Sequence, residues 1–119
     1  MILVDTSVWV DHIRTADGRL AELLEDGQVL CHPFVLGELA CGNLRRRAEV
    51  LTLLADLPRL PALATEDVMM FVAGHRLMWK GLGWVDVHLL AAAVVSREAL
   101  WTKDRRLADA ASRLGVADI

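Results

Sequence analysis

Short apolar runs alternate with longer amphipathic ones along this chain, and the two patterns predict different elements. Ile2-Leu3-Val4 is continuously apolar, as a strand covered on both faces requires. Thr6 or Ser7 then caps a predicted helix over residues 8–14. A second helix starts near Arg19, puts Leu20, Leu23 and Leu24 on one face, and stops at Gly27. Val29-Leu30-Cys31 reads as a second strand, and Pro33 suits the first turn of a helix that Gly42-Asn43 weakens or ends. Residues 45–57 are amphipathic, with Val50, Leu51, Leu54 and Leu57 inward and Pro58 as the stop. Leu60 to Leu63 is extended. Thr65 caps a further helix, with Glu66 and Asp67 in its first turn, which Gly81-Leu82-Gly83 ends after Lys80. Asp86 opens an apolar helix to about Arg97, Leu100-Trp101-Thr102 is a strand, and a helix from Arg105 to Leu114 closes at Gly115. Residues 116–119 suit an edge strand. Strands alternating with helices predict an α/β fold, a three-layer α/β/α arrangement around a mainly parallel sheet, with residues 1–119 as one domain.

Four acids break the apolar pattern. Asp5 ends the first strand, Glu38 interrupts Phe34 to Cys41, Asp86 enters the apolar run of residues 87–95, and Asp104 follows the last predicted strand. A carboxylate on a core-facing segment is costly unless it is paired, hydrogen-bonded or bound to a cation. Each also has a plain structural reading. Asp104 precedes a helix and suits an N-cap, worth about 1 kcal/mol. Asp86 suits the positive end of a helix dipole, and Asp5 suits a turn. Glu38 resists such an account, because no Lys or Arg stands three or four residues to either side.

Ligand crevices in parallel α/β sheets lie beyond the carboxyl ends of the strands, which is where Asp5 and Asp104 fall. Two carboxylates ~4 Å apart repel by ~4 kcal/mol at an effective dielectric near 20. Four sharing one pocket raise one another's pKa values or demand a cation. Oxygen-only ligands select Mg²⁺ or Mn²⁺ over zinc.

Composition narrows the class. At 119 residues and 55% apolar content the chain suits a single globular domain with its own core. Cys31 and Cys41 give neither a disulfide framework nor zinc spacing and read as buried thiols of a reducing compartment. The first residues lack a basic region, and the apolar run 87–95 is too short to span a bilayer, so a soluble cytoplasmic protein is expected. A net charge of −3 argues against a general nucleic-acid binder, yet Arg45-Arg46-Arg47, Arg76 with Lys80, and Lys103 to Arg106 are local cationic clusters. His12, His32, His75 and His88 lack zinc-ligand spacing and read as surface or capping residues. Trp9, Trp79, Trp84 and Trp101 suit either the core or a groove that a partner masks.

The motifs together resemble a known family. Ile2-Leu3-Val4-Asp5-Thr6-Ser7, a helical Glu about 33 residues on, Asp86 opening an Ala-rich helix, and Leu100-Trp101-Thr102-Lys103-Asp104-Arg105-Arg106-Leu107 resemble the PIN domain, and within it the VapC-type toxins of bacterial toxin–antitoxin pairs. The resemblance covers nearly the whole chain. It implies an endoribonuclease dependent on Mg²⁺ or Mn²⁺, an RNA substrate, a small cognate antitoxin protein and a homodimer. Asp5 and Asp86 match the principal metal ligands. Glu38 and Asp104 match the other acidic positions, and Thr102 a supporting hydroxyl, with Thr6 or Ser7 able to serve from the other side. Arg14, Arg76, Lys80, Arg105 and Arg106 are candidates for phosphate contacts. A response-regulator-like phosphotransfer domain would want two adjacent acids after the first strand, where Thr6 stands. A haloacid-dehalogenase-like phosphatase would want an Asp at Ser7. A PIN-like module that only binds is the remaining alternative, disfavoured by four intact acids.

Overall fold

A computed structural model describes residues 1–118. Three strands, β1 (Ile2–Val4), β2 (Val29–Leu30) and β3 (Ala99–Trp101), form one parallel sheet in the order β2-β1-β3. Ile2 pairs with both Val29 and Ala99, so β1 is the central strand. Successive strand side chains point to opposite faces, and Leu3 and Val4 are both fully buried. The sheet is therefore covered on both sides, as its continuous apolar runs demand.

Among the described residues seven helices accompany the sheet: α1 (Thr6–Arg14), α2 (Gly18–Glu25), α3 (Pro33–Cys41), α4 (Arg47–Asp56), α5 (Thr65–Gly74), α6 (Trp84–Ser96) and α7 (Arg105–Arg113). Helix α6 is buried without interruption from Val87 to Ala93 and packs against α5, α7 and β3. Its small Ala91-Ala92-Ala93 segment lets neighbouring elements approach closely. Leu20, Leu39, Leu54 and Leu107 bring α2, α3, α4 and α7 into the same core. Among the described residues no helix is long and apolar enough to cross a membrane.

Several local expectations are corrected. Asp5, not Thr6 or Ser7, caps α1, because its carboxylate accepts the Thr6 N–H at 2.8 Å. Thr65 lies inside α5, whose N-terminus has no side-chain cap. Helix α5 stops at Gly74 rather than near Lys80, since Arg76 and Trp79 take left-handed backbone conformations (φ 53° and 64°) that no helix accepts. Helix α6 starts at Trp84, so Asp86 is its third residue rather than its first. The C-terminal edge strand reduces to a single parallel bridge, Leu100 to Ala117, while residues 60–63 form no strand and the bridge to Cys31 falls on Arg59 just before them. Ile119 lies outside the described residues. Cys31 is buried as expected, but Cys41, at the end of α3, is exposed.

Candidate active site

Asp5 sits where β1 gives way to α1. Its backbone N–H still belongs to the sheet, donating to the Trp101 carbonyl at 2.9 Å, while its own carbonyl accepts the first helical N–H groups of α1. The residue is 7% exposed. Oδ2 accepts hydroxyl hydrogens from Thr102 (2.7 Å) and Ser7 (2.9 Å), and Oδ1 accepts the Thr6 N–H. Those hydroxyls are themselves aimed by the loop after β3: Lys103 N–H donates to Ser7 Oγ, and Asp104 N–H to Thr102 Oγ1, both at 3.0 Å. The charged carboxylate is thus fully hydrogen-bonded on three sides by groups from two strand ends, which offsets its burial.

The other three acids stand around this floor. Glu38, on α3, accepts the Thr6 hydroxyl at 2.7 Å, which ties α3 to the start of α1. Asp104 caps α7 by accepting the Leu107 N–H at 3.0 Å. Asp86 accepts the Gly83 N–H at 2.9 Å, closing the first turn of α6 on itself. Only Asp5 is buried; Asp86 is partly covered, and Glu38 and Asp104 are exposed. The expectation of four core-facing carboxylates therefore holds for Asp5 alone. The acids form one buried floor and an open rim.

They nevertheless share one electrostatic field. Burial holds the Asp86 carboxyl above the usual carboxylate range; the Gly83 N–H opposes this, and the charges of Asp5, Asp104 and Glu38 push it further up. Four segments spread over the sequence converge at the carboxyl edge of the sheet. Lys103 does not neutralise them, because its ammonium turns to Asp11 at 2.8 Å.

An oxygen-only donor set with unrelieved like-charge repulsion fits a hard divalent cation. Among the described residues no three carboxylate, imidazole or thiol groups are gathered tightly enough to cage an ion. The arrangement is an open rim rather than a closed chelate. A cleft of about 780 Å³ between α1 and α4, lined in part by Trp9, His12, Arg45 and Arg46, contains none of the four acids.

The histidines divide. His12 and His32 cap local turns, accepting the Asp17 and Phe34 N–H groups on Nδ1. His88 is the exception to a surface or capping role: it is 2% exposed, two residues beyond Asp86, wedged between the rings of Trp84 and Phe34 at 4.5 Å each. Burial lowers the His32 pKa to about 4, with His88 nearby adding to the effect, and burial also lowers that of His88. Both imidazoles are therefore neutral spacers between α3 and α6. Sequence alone could not separate a buried histidine from an exposed one here.

The chain belongs to the PIN domain family, whose model matches residues 2–113. It is also 49% identical over 118 residues to Ribonuclease VapC32 of two Mycobacterium tuberculosis strains, covering 98% of this chain and 95% of the relative. No solved structure matches significantly.

Proposed function

We propose that this chain is a divalent-metal-dependent endoribonuclease, the toxin of a toxin–antitoxin pair, formed as a single nuclease domain over residues 1–119. The observation that carries the reading is the convergence of Asp5, Glu38, Asp86 and Asp104 at the carboxyl edge of the sheet, where burial first, and the charges of the other three acids after it, raise the Asp86 carboxyl. Membership of the PIN family and the likeness to a ribonuclease support the same activity. PIN-domain ribonucleases are in general metal-dependent; Mg²⁺ or Mn²⁺ is the proposed ion here, from the all-oxygen donor set.

Asp5 and Asp86 are the proposed metal ligands, with Glu38 and Asp104 completing the catalytic set. The bound cation would neutralise the non-bridging phosphate oxygens and lower the pKa of water. The chain's own residues supply the rest. Ser7 and Thr102 fix the Asp5 carboxylate in one orientation. Gly83 does the same for Asp86, so neither acid must reorganise when RNA arrives. Glu38, held by Thr6, is the proposed group that orients the attacking water. Asp104 is fixed by its cap on α7. Arg76, Lys80, Arg105 and Arg106 are the proposed phosphate contacts at the rim. The proposed partners are a small antitoxin and a second copy of the chain, and the proposed location is the cytoplasm.

Cleavage of total cellular RNA by the purified protein tests this. Activity is expected with Mg²⁺ or Mn²⁺, lost with EDTA and lost in Asp5→Asn. Induction without a partner should arrest growth, and Asp86→Asn should not. Equal toxicity of the two proteins would defeat the catalytic reading, leaving a module that only binds.

A further inference from the structure

The segment between α5 and α6 has features that neither the fold nor the acidic centre uses. Trp79 is 99% exposed, an extreme value for the largest apolar side chain. Its backbone is held at φ 64°, a conformation that costs about 1–2 kcal/mol for a residue with a Cβ. Leu77, two residues earlier, is anchored in the core, so the strained turn projects the indole outward from a fixed base. Trp79 and Trp84 border a groove of about 320 Å³ whose wall also includes Leu82 and Gly83. The rest of the lining is apolar, Met69 and Met78 included, and Gly83 is the residue whose N–H holds Asp86, so one wall of the groove adjoins that acid.

Its charge is equally distinctive. From Arg76 to Val85 the chain carries two cations and no acid. Arg106, from the first turn of α7, lies flat along Gly81: a Cβ there would fall 2.7–2.9 Å from Arg106 Cδ, Nη1 and Nε. Among the described residues none of Arg76, Lys80 and Arg106 has an acidic partner. Indole faces beside unpaired cations are what single-stranded nucleic acid requires, since bases stack on the rings and phosphates meet the cations. An apolar protein surface would cover the rings but leave Lys80, next to Trp79, and Arg106, against Gly81, without counter-charge.

We propose that Trp79, with Lys80 and Arg106, forms a nucleobase-stacking subsite that holds single-stranded RNA beside the acidic centre. The inference rests on the ribonuclease reading for its ligand. The Trp79 indole supplies the stacking face, and Trp84, braced edge-on by His88, forms the inner wall of the groove. The cations grip the flanking phosphates, so the subsite reads unstacked bases rather than a duplex.

The test is binding of a short single-stranded oligoribonucleotide in EDTA, followed by fluorescence anisotropy and by quenching of tryptophan emission. Trp79→Ala should weaken binding roughly ten- to a hundredfold and remove most of the quenching, while Trp79→Phe retains binding within a few-fold. Replacing nucleotides one at a time by abasic sites should find a position that weakens wild-type binding by a similar factor and leaves Trp79→Ala unaffected. Full exposure of the indole keeps the fold intact in both variants. Three results would overturn the proposal: no binding by the wild type, unchanged binding by Trp79→Ala, or an abasic penalty equal in the two proteins. A Trp79→Ala change in sedimentation mass with RNA affinity per protomer unchanged would assign the surface to a second copy instead. Metal-dependent cleavage with Trp79-independent binding would remove the subsite and keep the nuclease. Trp79-dependent binding with no cleavage by the wild type under any divalent ion would do the reverse.

Discussion

Thr102 donates its hydroxyl hydrogen to Asp5 Oδ2 at 2.7 Å across 97 residues of sequence, joining the end of β3 to the end of β1. The same oxygen of Thr102 accepts the Asp104 N–H, so one hydroxyl sets the positions of two of the four acids.

Thr102→Val keeps the shape of the side chain and removes both bonds. The bond to the Asp5 carboxylate contributes about 1.5–3 kcal/mol and the neutral one from the Asp104 N–H about 0.5–1.5, so a loss of about 2–4 kcal/mol in chemical denaturation is expected. Metal affinity, followed by titration calorimetry, should fall with it because the Asp5 carboxylate loses its orientation. A stability loss with metal binding untouched would separate Thr102 from the centre.

Asp86 carries a stability cost that its substitution should release. Its carboxyl sits above the usual range, through burial first and like charge after it. The folded state therefore binds this proton more tightly than the unfolded state. Its contribution is favourable below the ordinary carboxylate pKa and is lost as pH rises through the raised value. Asp86→Asn keeps an acceptor for the Gly83 N–H and should melt higher than wild type at pH 7 in EDTA. Mg²⁺ should then stabilise only the wild type, and cleavage should fall by roughly a hundredfold or more.

Asp104 combines a cap with a charge, and two substitutions separate them. Asp104→Ala should cost about 1 kcal/mol from the lost bond to Leu107. Asp104→Asn should keep nearly all the stability, because its amide oxygen still caps α7. Both should lose RNA cleavage. An active Asp104→Asn protein would reduce the residue to a helix cap.

His32 makes the fold acid-sensitive. Its pKa is about 4, below the ordinary 6.5, because burial disfavours the imidazolium. The stability it maintains is present above pH 6.5 and is lost as pH falls towards 4, by about 3 kcal/mol in all. His32→Asn preserves an acceptor for Phe34 N–H and should flatten that part of the pH–stability curve measured by urea denaturation.

The sequence carried the sheet and the buried Asp5 clearly, because an acid ending Ile2-Leu3-Val4 contradicts its surroundings, whereas Glu38, amid Phe34 to Cys41, is exposed. What it could not carry depends on distant partners. Glu38 had no cation within reach along its own helix; its partner is the Thr6 hydroxyl, 32 residues away. The α5 boundary was misplaced because Leu77, Met78 and Trp79 continue an apolar pattern, whereas the backbone turns left-handed to bury Leu77 and expose the other two. His88 was legible only as a histidine, since its burial follows from the Trp84 and Phe34 rings closing over it.

The central position of β1 also orders events during synthesis. Asp5 is made long before the hydroxyl that orients it and the strand that completes its sheet, which arrive only with residues 99–102. A growing chain, or one cut short by a premature stop before that point, holds the acid without its setting. Such a chain is therefore expected to be harmless to the message that encodes it.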